Sequence, residues 1–205
     1  MSDRYRIFVA GVGGMGAMTV SRVLGEAALR AGIHVVVGEI HGMAQRGGVV
    51  HSAILLGPGD GSQIDDGEAD LLIALEPIEA LRALPKAHAG ALAVVNTHPV
   101  VPYTVAVGGG SYPDVNQTLE KIADSVAGLI AFDAHQVAVG AGSSRATNVA
   151  LLGAVAAAGV LPFDPEHIEA VIGSRATGRA VNLRAFATAR DMFAAIAESE
   201  PEAQE

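Results

Sequence analysis

A chain of 205 residues with no cysteine can form no disulfide, thiolate nucleophile or cysteine-ligated iron–sulfur cluster, so any redox centre it serves sits in a partner or binds non-covalently. Its net charge of −9, with two lysines (Lys86, Lys121) against eleven arginines, argues against wrapping a nucleic-acid backbone. Half the residues are apolar but only 4% are aromatic, which calls for a core of closely packed Ala, Val, Leu and Ile.

The length predicts one domain over 1–197, followed by a disordered acidic tail, "ESEPEAQE" (198–205). "MSDRYRIFVAG" is no signal peptide, and the longest apolar run (149–163) is too short to cross a bilayer. The expectation is a cytoplasmic protein with neither membrane nor nucleic acid as partner.

In chain order, "YRIFVA" (5–10) predicts a buried strand. Residues 14–31 predict a helix whose apolar face carries Ala17, Val20, Leu24, Ala27 and Ala31, ended by Gly32 in a left-handed conformation. "HVVVGEI" (34–40) and "VVHSAILLG" (49–57) follow as strands, then an exposed turn at 58–70. "LLIALE" (71–76) predicts a central strand and "PIEALRALPKAH" a short helix with Pro77 in its first turn; "ALAVVNT" (91–97) is another strand. Residues 99–113 are irregular or an edge hairpin, 114–127 a helix, "LIAFDA" a strand, and 147–158, 165–173 and 181–197 helices. Strands alternating with helices predict a Rossmann-like, three-layer α/β fold with a mostly parallel central sheet and helices on both faces.

Between the first strand and helix, Gly11, Gly13 and Gly16 satisfy G-x-G-x-x-G, with Gly14 between them. Glycines let backbone approach a ligand closely, and the helix that follows offers free N–H groups to an anion. Glu39 stands where a ribose-binding acid of a dinucleotide site is expected, so the motif admits either a dinucleotide or tight strand–helix packing. The next loop, "GEIHGMAQRGGVVHS" (38–52), adds His41, Gln45, Arg46, Gly47 and Gly48. Its arginine suits a carboxylate or phosphate, and its glycine pair suits close approach by a ligand or another subunit. His41 and His51 read as ordinary loop or strand histidines, without a carboxylate–histidine set for a metal.

"GVGGMG", "SRVLGEAALRAG", "EIHGMAQRGG", "ADLLIALEPIEALR", "VVNT", "GSSRATNVALLGA" and "NLRAF" occur in this order over about residues 5–190. Together they resemble the gamma-type domain of 2-oxoacid:ferredoxin oxidoreductases, above all the small subunit of the indolepyruvate type. The resemblance implies a subunit with no chemistry of its own. Its complex would use thiamine diphosphate with Mg2+, [4Fe–4S] clusters and coenzyme A to convert indolepyruvate or another aryl pyruvate to the acyl-CoA. A large thiamine- and cluster-bearing subunit, and ferredoxin or a similar electron acceptor, are the implied partners. The family-type positions are Gly11, Gly13, Gly14 and Gly16 in the first turn, His41, Gln45, Arg46, Gly47 and Gly48 in the second loop, and Arg145 with Asn148. The family has Gln where this chain has Met15, which removes a polar side chain from the turn.

The residues themselves keep other readings open. Thr147 and Asn148 suit helix capping as well as ligand contact. Gly153 and Gly159 suit close packing of the Ala-rich helix. Asp65, Asp66, Glu68 and Asp70 read as a solvated acidic turn, and Asp133 and His135 lie at a strand end with no nucleophile beside them. Alternatives to the leading function are a gamma subunit for another 2-oxoacid (pyruvate, 2-oxoglutarate, phenylglyoxylate), a free-standing dinucleotide-binding oxidoreductase and a purely structural assembly subunit.

Overall fold

The computed structural model describes residues 4–41, 48–101, 105, 108 and 111–197. The chain runs β1 (Tyr5–Val12), α1 (Ala17–Arg30), β2 (Val35–His41), β3 (Val49–Leu56), β4 (Ala69–Ala74), α2 (Pro77–Ala83), β5 (Ala87–Asn96), α3 (Val115–Ala123), β6 (Gly128–Phe132), α4 (Ala134–Ala141), α5 (Thr147–Ala157), α6 (Glu166–Ser174) and α7 (Arg179–Ala197). Short 3-10 turns lie at Leu84–Lys86 and Ser144–Ala146.

The continuous apolar runs of β1, β4 and β5 are buried on both faces, as strands at the middle of a two-sided sheet must be. The strand order is β2–β3–β1–β4–β5–β6. Pairings β1–β4, β4–β5 and β5–β6 are parallel, whereas β3 runs antiparallel to both β1 and β2. Side chains alternating along the strands feed two cores. Ile7, Val9, Ile54, Leu71 and Ile73 pack against α1 and α4–α7; Phe8, Ala10, Leu55, Leu72 and Val95 pack against α2 and α3. The mostly parallel sheet with helices on both faces is as expected from sequence.

The insertion of β3 is what the sequence did not disclose. The first strand–helix–strand unit does not place β2 beside β1, because β3 folds back between them. Glu39 consequently pairs in register with Ser52, and Ser52 with Val9, two strand spacings from β1, or roughly 9.5 Å. Its carboxylate accepts a hydrogen bond from Ser21 Oγ at 3.2 Å, on the α1 side of the sheet. Glu39 therefore does not flank the glycine turn as a ribose ligand would, and the dinucleotide reading loses its acidic partner.

Local rules set most helix ends. Gly32 takes φ +76° after α1, as expected, with Ile33 N–H donating to Ala28 C=O at 2.9 Å. Pro77 opens α2, and Glu76 caps it by accepting from the Ile78 and Glu79 amides at 2.7 and 3.0 Å. α5 is buried all round between the sheet and α7. Its Gly153 lies so close to α7 that an added Cβ would fall 2.2 Å from the Phe186 carbonyl oxygen, which confirms the packing role of this glycine. Gly159 has φ +63° just beyond the helix.

One element differs from expectation. Residues 134–141 form α4, where the sequence suggested only a strand ending at Ala134. Asp133 starts the helix by accepting from the Gln136 amide at 2.8 Å. Most of the irregular stretch expected over 99–113, and the acidic tail 198–205, lie outside the described residues. The acidic turn is held by ordinary pairs. Asp66 meets Lys86 at 2.8 Å, and Asp70 accepts from the Arg6 amide at 2.6 Å and lies 3.2 Å from His88 Nε2.

Two phenols give the fold an alkaline limit. Tyr112 donates its hydroxyl to the buried carboxylate of Glu76, and burial, then that carboxylate, holds its pKa far above the ordinary tyrosine range. Burial, then Asp70, does the same for Tyr5. The native state thus keeps protons that the unfolded chain releases near pH 10, so this stabilisation is complete below about pH 10 and is lost as pH climbs toward the native values. Denaturant midpoints are expected to fall steadily above pH 10. Tyr112→Phe, which deprives Glu76 of a donor, costs about 1.5–3 kcal/mol at neutral pH and removes part of the alkaline slope.

Candidate functional site

The C-terminal edge of the sheet carries a cleft of about 520 Å³, bordered by the turn after β1, the ends of β5 and β6, and the start of α5. This is where parallel α/β sheets gather ligands, because helix N-termini and loops converge there. Gly14, Met15 and Gly16 form one wall, and Ser144, Arg145, Thr147 and Asn148 another. Thr19, Asn96, His98, Val100 and His135 complete the lining.

The glycine turn is fixed from two directions. Gly13 N–H donates to the Gly48 carbonyl at 2.7 Å, so the chain leaving β2 returns to β3 directly against the turn. Gly14 and Gly16 have φ +97° and +88°, a conformation that costs an L side chain about 1–2 kcal/mol. Gly16 is the N-cap of α1 and offers no capping side chain, so the positive dipole end of the helix stands uncapped at the cleft.

Asn148 reaches across from α5 and locks this arrangement. Its Nδ2 donates to the Gly16 carbonyl at 3.3 Å, and a Cβ on Gly16 would lie 2.3 Å from that nitrogen. Its Oδ1 is buried with no hydrogen-bond partner, an acceptor ready for an N–H or O–H donor. Capping is therefore not the task of Asn148. Nor is it that of Thr147, whose Oγ1 donates to the Ser144 carbonyl at 2.7 Å. Arg145 sits on the turn before α5 with its side chain exposed and no ion pair among the described residues.

The far wall is set by Asn96, fully buried at the end of β5. It donates to the Leu75 carbonyl at 2.9 Å and accepts from the Ala134 amide at 3.0 Å and the His98 amide at 3.3 Å. One side chain thus ties β4, β5 and α4 together and places two imidazoles. His98 and His135 stack with centroids 4.1 Å apart and planes at 12°, and His98 Nδ1 lies 3.7 Å from Asp133. Together with Arg145 and the start of α1, they make a donor-rich surface suited to an anion.

Of the residues expected at a site, Gly14, Gly16, Arg145 and Asn148 line the cleft, and Gly13 and Gly48 buttress it through their mutual hydrogen bond. Gly11 does not line it. It is a residue of β1, where a Cβ would meet the Leu75 side chain at 3.2 Å, so its small size serves strand packing. His41 ends β2, and Gln45, Arg46 and Gly47 lie outside the described residues. Met15 packs its side chain against the core beneath the turn.

His51 is a strand histidine, as read. Its ring tilts against Phe8 at 5.1 Å, and burial, then Lys86, keeps its pKa below the usual value. Sequence reasoning did not single out Asn96, His98, Thr19 or Ser144 as site residues. A buried polar Asn ending an apolar strand was the available signal for the first. Among the described residues no cluster of His, Asp and Glu is placed to hold a metal, and no helix is long and apolar enough to cross a membrane.

Residues 6–192 match the family described as pyruvate ferredoxin/flavodoxin oxidoreductase. The chain is 44% identical over 200 residues to the indolepyruvate oxidoreductase subunit IorB of Methanothermobacter thermautotrophicus, covering 95% of this chain and 99% of that one. Its fold is similar to the gamma subunit of a keto/oxoacid ferredoxin oxidoreductase from Geobacter sulfurreducens, with TM-score 0.67 and 22% identity over 93% and 99% of the two chains. It is also similar to part of the 2-oxoglutarate:ferredoxin oxidoreductase of Magnetococcus marinus, a structure with 2-oxoglutarate, coenzyme A and succinyl-CoA bound. There the TM-score is 0.70 at 20% identity, covering 98% of this chain and 33% of the larger one.

Proposed function

Because the chain belongs to the pyruvate ferredoxin/flavodoxin oxidoreductase family and is a subunit of a 2-oxoacid:ferredoxin oxidoreductase, we propose that its complex oxidises indolepyruvate and that the cleft completes the site on a large partner subunit. The substrate follows from the name of the relative at 44% identity over nearly the whole chain. In such a complex thiamine diphosphate with Mg2+ supplies the decarboxylation chemistry, [4Fe–4S] clusters carry electrons to ferredoxin or a similar acceptor, and coenzyme A accepts the acyl group.

The donor set of this chain distinguishes among these groups. With no cysteine it does not fit an iron–sulfur cluster, which belongs to the partner. The cleft does fit a phosphate-bearing ligand with amide groups, which is the chemistry of coenzyme A. Arg145, His98, His135 and the amides opening α1 take the anionic part, and Asn148 Oδ1 takes an amide N–H. The single observation that carries this reading is the buried, unsatisfied Asn148 oxygen beside an uncapped helix start and an exposed arginine.

Steady-state kinetics of the reconstituted complex test it. Arg145→Ala is expected to raise the apparent KM for coenzyme A about tenfold, the effect of one lost charge-assisted hydrogen bond, while the KM for the 2-oxoacid stays within twofold. An unchanged coenzyme A dependence together with weakened binding of the large subunit would instead assign Arg145 to assembly.

A further inference from the structure

Beside the cleft, and sharing Val100 with it, lies a second hollow of about 360 Å³ walled by Val12, Val49, Ile78, Val101 and Pro113. Val12 immediately precedes the glycine turn, so the two spaces flank the same segment. The hollow is apolar except for Glu76, Glu79, Arg82, Ser111 and Tyr112.

Hydrogen-bond accounting separates the two glutamates. Glu76 is fully engaged. One oxygen accepts from the Ile78 and Glu79 amides, and the other from the Tyr112 hydroxyl and from the Val100 amide at 3.4 Å. Glu79 is 3% exposed, and its Oε1 accepts from Arg82 Nη1 at 2.6 Å, but its Oε2 is buried and accepts nothing. A buried acceptor without a donor is rare in a folded protein and costs free energy until a donor arrives.

The surroundings restrict what that donor can be. Arg82 already offsets the charge of Glu79, while burial holds its carboxyl pKa above the usual carboxylate value. A second cation brought among valines would lose its hydration for little return. A neutral N–H on a flat apolar body meets every condition: it fills the walls, supplies one hydrogen bond and brings no charge. A hollow of this size, mostly apolar and with one acceptor left unpaired among its few polar groups, suits an aromatic ring.

We propose that this hollow seats the indole ring of the substrate, with the ring N–H donating to Glu79 Oε2. The 2-oxoacid chain then projects past Val100 toward the cleft and the partner. The inference rests on the indolepyruvate reading above and makes Glu79 a specificity-determining residue rather than a catalytic one.

The test compares indole-3-pyruvate with its benzofuran analogue, which has the same shape but an oxygen in place of the N–H, on the reconstituted complex. The parent complex is expected to favour the indole about tenfold in kcat/KM, the discrimination of one hydrogen bond. Glu79→Leu should erase that preference while phenylpyruvate turnover stays within about threefold, and Glu79→Gln should erase it too, because Arg82 takes its single oxygen and its amide nitrogen cannot accept from the indole. Equal turnover of indole and benzofuran substrates by the parent complex overturns the pocket assignment while leaving the substrate reading intact, and this needs no variant to fold. Equal losses on all three substrates in Glu79→Leu also overturn it. A parent complex that oxidises no aryl pyruvate removes the substrate reading, and the pocket with it.

Discussion

Gly16→Ala in the assembled complex is expected to lower kcat/KM about 100-fold, the effect of misplacing a ligand-bearing segment by an ångström. Two consequences of a single methyl group act together. At φ +88° the new Cβ strains the backbone, and it would stand 2.3 Å from Asn148 Nδ2, a side chain only 6% exposed with little room to retreat. The turn must shift, the Asn148 bond to the Gly16 carbonyl breaks, and the start of α1 no longer stands at the cleft as it did. The stability cost is smaller, about 1–2 kcal/mol for the left-handed residue. Circular dichroism and co-purification with the large subunit should therefore survive while turnover does not. Combining Gly16→Ala with Asn148→Ala makes room for the methyl, so the pair should destabilise less than the sum of its parts. Turnover of Gly16→Ala within threefold of the parent would separate this turn from function.

Gly153→Val is expected to be the most damaging substitution for folding. An alanine at a helix interior normally gains about 1 kcal/mol over glycine. Here even a Cβ falls 2.2 Å from the Phe186 carbonyl oxygen and 3.0 Å from Ala189 Cβ, so α5 and α7 would have to separate along a buried contact. Overpacking outweighs propensity, at about 3 kcal/mol or more for valine. For a chain of this length that lowers the thermal midpoint by about 6–12 °C, measurable by differential scanning calorimetry. A Gly153→Ala variant more stable than the parent would show that the helices yield easily.

The apolar runs of β1, β4 and β5, the first-turn Pro77 and the left-handed Gly32 were legible because each rests on a local rule. The place of β3 was not, since a strand inserted between β1 and β2 depends on which partners it pairs with across the sheet, a matter of tertiary contact. That insertion decides the fate of Glu39, which local spacing alone had placed beside a nucleotide. Helix α4 escaped because it is short, carries Gly140 and continues directly from a strand; its cap, Asp133 with Gln136 three residues on, was the only cue.

The site divides in the same way. Gly16, Arg145 and Asn148 lay in recognisable motifs, yet the contact between Gly16 and Asn148 joins residues 132 apart. The stacked His98 and His135 come from the loop after β5 and the first turn of α4, brought together by Asn96. Glu79 could not be read as buried from its sequence, where a charged residue in a short helix suggests a solvated face.

The most direct test of the central claim is the rate at which ferredoxin is reduced by indolepyruvate and coenzyme A. It should be measured for the large subunit alone, this chain alone and the two combined. The account predicts activity only in the combination, and a loss of about 100-fold when the combination carries Gly16→Ala. A large subunit equally active without this chain would contradict it.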